Sequence, residues 1–128
     1  MNDENKKLNI ETEIERGNES LKAAEILHEK KLYADSISRA YYAAFHYAQA
    51  ILLTIGIEAK SHPGVLNRFS LHFVKSGRID PKYARILSKA HKFREESDYS
   101  SMFVFTKEDA EQNLKEVKEF IQAVQKQL

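Results

Sequence analysis

The stretch AYYAAFHYAQAILLTIGI, residues 40–57, carries no charged side chain and decides the fold of this protein. Apolar residues recur along it at steps of three and four, which is the spacing of one helical face. The opposite face is apolar as well, through Tyr42, Ala43 and Ala50. A helix that is apolar on all sides is buried on all sides. We therefore expect it either at the centre of a helical bundle or in a subunit interface.

Helical signals continue on both sides of this stretch and predict an all-α fold. Apolar residues at helical spacing indicate five helices, and both prolines stand at helix starts, where a missing N–H costs nothing. The approximate bounds are residues 8–30, 33–55, 61–77, 80–97 and 106–128. They predict a single domain over residues 1–128, an up-and-down bundle of four long helices plus one shorter helix. The loop at 99–105 should cross the end of the bundle with its aromatic side chains turned inward.

The composition indicates a soluble protein that contacts any nucleic acid at a local site. The 128 residues include 20 lysines and arginines against 19 aspartates and glutamates, a net charge of +1. A protein that coats a long duplex normally carries a clear basic excess. The start of the chain is polar, cysteine is absent, and no apolar stretch is long enough to cross a bilayer. We expect a cytoplasmic protein without a membrane segment.

Metal-binding bundles need glutamates and histidines at set spacings, and this sequence has few of them. A di-iron site needs two Glu-x-x-His pairs that face the bundle interior. Only Glu25 and His28 have that spacing, and the four glycines are isolated, so that no phosphate-binding loop is present. We therefore expect neither a metal nor another cofactor.

Two polar residues of the second predicted helix are candidates for work on a phosphate. Arg39 and His46 are seven residues apart, nearly two turns, so they share a stripe with ~10 Å between them along the axis. Arginine can neutralise the charge of a phosphate while histidine moves a proton. The structural alternative is that Arg39 pairs with a carboxylate and that His46 forms a hydrogen bond inside the bundle.

The end of the fourth predicted helix, REESDY at residues 94–99, carries a second candidate site. Arg94 continues the apolar stripe and should point inward, where it needs a partner. Asp98, four residues further on, can supply that partner. An inward arginine beside a carboxylate and the Tyr99 hydroxyl can bind an anion or tune a proton donor. A purely structural ion pair that fixes the helix end has the same sequence pattern.

A basic pair, Lys60 and His62, stands at the start of the third predicted helix. Free backbone N–H groups and the helix dipole make this position attractive to a phosphate. An ordinary helix start, with Ser61 as the cap and Pro63 behind it, explains the same residues. The sequence leaves both interpretations open.

Four segments of the chain resemble motifs of small prokaryotic HEPN proteins. SRAYYAAFH at residues 38–46 resembles the signature of their second helix, and REESDY resembles their R-x-x-x-D-Y motif. KSH at residues 60–62 and HFVKSGRID at residues 72–80 resemble two of their connecting segments. The four segments lie in the family's order and span nearly the whole chain. The sequence is therefore identified as a member of the HEPN family.

The resemblance implies a helical bundle that is usually dimeric and often encoded beside a minimal nucleotidyltransferase as a toxin–antitoxin pair. It also implies a link to metal-independent RNases, in which the arginine and histidine of an R-x(4–6)-H motif promote attack of a 2′-hydroxyl on the adjacent phosphate. Here Asp98 and Tyr99 stand where that histidine is expected. Arg94 is then the implied phosphate binder, and Asp98, Tyr99 or His46 takes the proton, unless the protein binds without cutting.

Three functions follow from these observations. The leading hypothesis is a dimeric HEPN RNase-type toxin, with Arg94 assisted by the other polar residues named above. The alternative is a non-catalytic subunit that presents a nucleotide or substrate to a nucleotidyltransferase, which the near-neutral charge and the missing motif histidine favour. The third is a structural adaptor in which the doubly apolar helix forms a homodimer seam.

Overall fold

The computed structural model describes residues 2–100 and 104–128, and all regular structure in this part of the chain is helical. The elements are α1 (Asp3–Glu29), α2 (Tyr33–Thr54), α3 (His62–Phe69), a π-helical turn (Ser70–Val74), α4 (Pro81–Tyr99) and α5 (Lys107–Gln125). The predicted all-α fold of four long helices and a shorter one is confirmed. None of the described helices is long and apolar enough to cross a membrane.

The uncharged helix α2 lies at the centre of the bundle and contacts each of the other four helices. Of its 22 residues, 14 are buried. This burial accounts for both apolar faces and selects the central position over the subunit interface that the sequence left open. Because a single copy already covers these faces, they give no support to the adaptor hypothesis, which placed them in a dimer seam.

α1 runs antiparallel to α2 along most of its length. Near the connection between the two helices, the Ser36 hydroxyl donates a hydrogen bond to the Ala24 carbonyl oxygen at 2.8 Å. Further along, Nδ1 of His46 lies 2.7 Å from a carboxylate oxygen of Glu13. The contact that lies later on α2 therefore involves an earlier residue of α1, as it does between antiparallel helices. This is the neighbour arrangement that short connections predict.

Gly17 is a point of close approach between α1 and α2. A Cβ atom there would lie 2.8 and 2.9 Å from two ring carbons of Tyr47 and 3.3 Å from the Ala43 carbonyl oxygen. The Tyr47 ring is buried, and its hydroxyl donates to Oδ1 of Asn18 at 2.6 Å and accepts from Nε2 of Gln125 at 3.3 Å. These contacts fix the ring, so α1 and α2 approach closely at Gly17.

The outer ends of α1 and α5 differ from the sequence prediction. α1 begins at Asp3 and not at about residue 8, because the Asn2 side chain accepts the N–H of Asn5 at 2.8 Å and caps the helix. α5 ends at Gln125, so Leu128, which the sequence placed on the buried stripe, is 43% exposed. In both cases the apolar period locates the helix correctly, and local polar contacts determine where the helix begins or ends.

The third predicted helix, residues 61–77, is not one regular α-helix. α3 ends at Phe69 and a π turn follows, in which the Lys75 N–H donates to the Ser70 carbonyl oxygen, five residues back, at 3.0 Å. A single π turn keeps the buried residues on one side, so apolar spacing could not reveal it. Gly77 ends the segment with a φ of 83°, a left-handed conformation that glycine adopts without strain.

The connection before α5 is partly buried. Phe105 packs on Phe93 with 5.4 Å between the ring centroids, and it also contacts α2 and the first turn of α5. Val104, next to it, is 83% exposed. The prediction that the aromatic side chains of this loop turn inward is confirmed for Phe105. It is wrong for Tyr99, which is the last residue of α4 and is 73% exposed, and Phe103 lies outside the described residues.

We expect Gly17→Ala to lower the free energy of unfolding by about 1 kcal/mol. Alanine gains about 1 kcal/mol in helix propensity, but overpacking a fixed interior costs roughly 1–3 kcal/mol. Urea denaturation followed by circular dichroism measures the difference. Glu15→Ala, at an exposed position of the same helix, is the control and should change stability little. A Gly17→Ala protein as stable as the wild type would contradict the close contact with Tyr47.

Candidate functional site

Arg94, in the last turns of α4, is the centre of a polar cluster between α4 and α2. Its side chain is 12% exposed. Nη2 donates to the Tyr42 hydroxyl at 2.6 Å and lies 3.5 Å from the Tyr99 hydroxyl. Nε lies 2.9 Å from Oδ2 of Asp98 in an ion pair, although its N–H is not directed at that oxygen and makes no hydrogen bond. The inward arginine and its pairing with Asp98 agree with the sequence prediction.

The guanidinium group of Arg94 is held in its charged form. Burial opposes the charge, but the oxygens of Tyr42, Tyr99 and Asp98 outweigh that effect and raise the pKa of Arg94 above its ordinary value. Within the described part of the chain, the hydrogen bonds of the guanidinium are made by Nη2, and none is seen for Nη1. The cation therefore keeps a donor group without an acceptor among these residues. A phosphate, which matches the fork of guanidinium donors, suits that position.

Arg39 adds a second guanidinium to the same tyrosine. Its Cζ atom lies 4.7 Å from the ring centroid of Tyr42, and Cζ of Arg94 lies 5.2 Å from the same centroid. Both distances are within the range of cation–π contacts. Arg39 is exposed, unlike Arg94. In the sequence analysis the two arginines belong to separate candidate sites. In the structure both lie against the ring of Tyr42.

His62, at the first position of α3, joins this cluster from a third element. Its Nδ1 lies 2.6 Å from the buried Tyr41 hydroxyl, and its ring stacks on Phe45 at 4.4 Å between centroids. The centroid of the Tyr42 ring lies 6.0 Å from that of His62, in an edge-on arrangement. The sequence paired His62 with Lys60 as a phosphate-binding pair. Lys60 is exposed in the connection before α3, whereas His62 turns towards α2 and α4.

The surroundings of His62 favour the neutral imidazole. Burial lowers the pKa of His62, and the positive charges of Arg94 and His91 lower it further, while Glu95 opposes them. Burial also raises the pKa of Tyr41, so its hydroxyl stays protonated. The contact is thus a hydrogen bond between two neutral groups. In the tautomer that carries its proton on Nδ1, the Tyr41 oxygen accepts and Nε2 is left as a proton acceptor.

His91 is a member of the cluster that the sequence analysis missed. Its ring lies 5.2 Å from that of Tyr41 and 5.8 Å from that of His62, and its Nε2 is 3.2 Å from a carboxylate oxygen of Glu95. The sequence feature that could have identified His91 is its position three residues before Arg94, which places both side chains on one face of α4. We call the group formed by these residues the Arg94–His62 cluster. Its members are Arg39, Tyr41, Tyr42, His62, His91, Arg94, Glu95, Asp98 and Tyr99.

His46 does not belong to the Arg94–His62 cluster. Its Nδ1 lies 2.7 Å from Glu13 of α1, on another side of α2. Arg39 and His46 share a stripe, as predicted, but the first side chain turns towards α4 and the second towards α1. The structure therefore does not bring this pair together. Within residues 2–100 and 104–128, no three histidine, aspartate or glutamate side chains converge in a way that could hold a metal ion.

The fold and the cluster together define a class: an all-α bundle with a cationic polar site where its central helix meets α4. The profile of the HEPN domain matches residues 10–127. The chain therefore belongs to the HEPN family.

Full-length relatives agree with this assignment. A protein of Methanocaldococcus jannaschii that bears the name "Putative toxin" is 43% identical over 119 residues, 93% of this chain and 88% of that protein. A second protein of that organism with the same name is 35% identical over 105 residues, 82% and 71% of the two chains. A UPF0332 protein of Archaeoglobus fulgidus is 34% identical over 113 residues, 88% and 90% of the two chains.

We expect Tyr42→Phe to lower the free energy of unfolding by about 1.5 kcal/mol, because a hydrogen bond to a charged, largely buried group is worth roughly 1.5–3 kcal/mol. Tyr99→Phe is the matched control. The Tyr99 hydroxyl is 3.5 Å from Arg94 and its side chain is 73% exposed, so its loss should cost less than about 0.5 kcal/mol. Urea denaturation of both variants is the measurement. Equal losses would contradict the ranking of the two contacts.

Proposed function

We propose that this protein is a toxin-like HEPN protein that cleaves RNA without a metal ion. The observation that carries the proposal is the state of Arg94, a largely buried cation. Its Nη2 donates to Tyr42, its Nε is ion-paired with Asp98, and its Nη1 has no acceptor among the described residues. Two relatives that share most of this chain bear the name of a toxin, which supports the same class.

The chemistry asked of Arg94 is the stabilisation of charge on phosphorus. When a ribose 2′-hydroxyl attacks the adjacent phosphate, negative charge grows on the phosphoryl oxygens. A guanidinium that is already oriented donates to those oxygens without further ordering. Arg39, which contacts the same Tyr42 ring, adds positive charge at the edge of the site. It is placed to bind the neighbouring phosphate of the RNA strand. Binding at two phosphates fits the net charge of +1 better than binding along a duplex.

The polar neighbours of Arg94 take different parts in this proposal. Asp98 holds the arginine through the ion pair, and the Tyr99 hydroxyl lies on the exposed side of it. His46 faces Glu13 on α1, so a part in the reaction would require a second copy of the chain. We propose a homodimer in the cytoplasm as the active form, with single-stranded RNA as the substrate class.

We expect Arg94→Gln to reduce RNA cleavage about 10²- to 10³-fold, the usual effect of removing one charge-stabilising donor. The assay is incubation of purified protein with single-stranded RNA and with tRNA in EDTA. Arg85→Gln, at an exposed position of the same helix, is the control and should keep full activity. Circular dichroism of both variants checks that the fold is intact. Unchanged cleavage by the Arg94 variant would remove this residue from the site.

A second candidate function is favoured by the position of Tyr99. Its side chain is 73% exposed, and its hydroxyl lies beside the guanidinium of Arg94, which can hold an incoming phosphate. That arrangement suits a protein that accepts a nucleotide from a minimal nucleotidyltransferase. In this role the chain is the partner subunit of a toxin–antitoxin-type pair, and modification at Tyr99 controls it.

We expect incubation with such a nucleotidyltransferase and ATP to add nucleotide mass to the wild-type protein and none to Tyr99→Phe. Intact-mass spectrometry measures the addition, and peptide mapping locates it. Tyr83→Phe, on the same helix but outside the Arg94–His62 cluster, is the matched control and should still be modified. Modification of Tyr99→Phe to the wild-type extent would exclude Tyr99 as the acceptor.

A further inference from the structure

His62 combines a fixed ring with an open nitrogen. The Tyr41 hydroxyl, fully buried, meets Nδ1 at 2.6 Å and holds the ring in one orientation, with Phe45 stacked on its face. For Nε2, on the far side of the ring, no hydrogen bond is seen among the described residues, and the side chain is only partly buried. A histidine held at one nitrogen and free at the other has the arrangement of a general acid–base group.

The free nitrogen lies in the same cluster as the phosphate-binding arginine. His62 contacts the edge of the Tyr42 ring, whose hydroxyl accepts the hydrogen bond from Arg94. The titratable and charged groups that face His62 are Tyr41 and Tyr42 from α2, and His91, Arg94 and Glu95 from α4. When the imidazole is protonated, the charges of His62 and of these groups add up to a positive total. The neutral form, which can take a proton, is therefore the resting form.

The other polar groups near Arg94 are less suited to moving a proton. Asp98 is engaged in the ion pair with Arg94, and His91 is engaged with Glu95. His46 lies on the α1 side of the central helix, against Glu13. His91 is paired through its Nε2, whereas no partner of His62 Nε2 is found within residues 2–100 and 104–128.

We propose that His62 is the catalytic acid–base residue of this protein, taking the place of the motif histidine that Asp98 and Tyr99 replace, with Tyr41 as its positioning residue. This inference rests on the proposed RNase function. Tyr41 can hold both states of the ring, because Nδ1 carries a proton in the imidazolium and also in the neutral tautomer that leaves Nε2 unprotonated. In each state the Tyr41 oxygen accepts the hydrogen bond from Nδ1.

The reaction balances without a further reactant. Nε2 of His62 takes the proton of the ribose 2′-hydroxyl, and the 2′-oxygen forms a bond to phosphorus. The bond from phosphorus to the 5′-oxygen breaks, and the imidazolium returns its proton to that oxygen. The products are a 2′,3′-cyclic phosphate and a 5′-hydroxyl end, and no water is consumed. Arg94 stabilises the charge on the phosphoryl oxygens throughout.

The test compares His62→Asn with the wild type on single-stranded RNA in EDTA, with the products' ends identified by mass. Asparagine can still reach the Tyr41 hydroxyl but does not titrate. We expect a loss of about 10²- to 10⁴-fold in kcat, the usual range for a general acid–base group. Tyr41→Phe should lower kcat by less and shift its pH profile. His72→Asn, in the π turn outside the cluster, is the matched control and should retain activity.

The pH dependence provides an independent test of the role of His62. Because the pKa of His62 is lowered, kcat/KM should rise with pH through a midpoint below about pH 6.5, the ordinary value for histidine. NMR titration of the His62 ring should give a midpoint below that value, and Arg94→Gln should raise it by removing a positive charge. In the same way, the share of stability due to neutral His62 is present above about pH 6.5 and is lost as the pH falls.

The outcomes separate the two levels of the proposal. Cleavage by the wild type that is lost in His62→Asn, with cyclic phosphate products, supports both. Cleavage that survives in His62→Asn overturns the assignment of His62 and leaves the RNase function standing. Absence of cleavage by folded wild-type protein overturns the RNase function and the catalytic role of His62 together. A His62 titration midpoint that does not respond to Arg94→Gln would contradict the shared site.

Discussion

The burial of α2 at the centre of the bundle is the constraint on which the rest of the structure depends. A buried polar group has to be hydrogen-bonded, and the tyrosines of α2 meet that requirement through side chains of the surrounding helices. Tyr47 reaches α1 and α5, Tyr41 reaches His62 on α3, and Tyr42 reaches Arg94 on α4. The same contacts that satisfy the interior therefore fix the cationic and titratable side chains of the candidate site.

Those parts of the structure that follow from local sequence could be predicted. The lack of charge over residues 40–57 indicated a helix buried on all sides, and the apolar period located all five helices. The pairing of Arg94 with Asp98 was also predictable, because side chains four residues apart on a helix are neighbours. The π turn after α3 was not, since the step of four residues between the buried Phe69 and Phe73 fits an α-helix as well as a π turn.

The composition of the candidate site depends on how the helices are placed, and the sequence alone does not contain that information in readable form. His62 and Arg94 meet through Tyr42 although they belong to separate helices, and His91 joins them only because that face of α4 turns towards α2. Arg39 and His46 are the opposite case, a pair that the sequence predicted to lie together and that the structure keeps apart. They share a stripe, but their long side chains reach different neighbours, so a common stripe did not mean a common site.

The contact between Arg94 and the Tyr99 hydroxyl has a consequence for regulation. A phosphate esterified to that hydroxyl would stand beside the guanidinium and take up donors that a ligand's phosphate also requires, since the fork of one arginine is limited. Such a group acts as a tethered competitor, and its effective concentration does not fall on dilution. A covalent change at one exposed phenol can thus occupy the anion site without any movement of the helices.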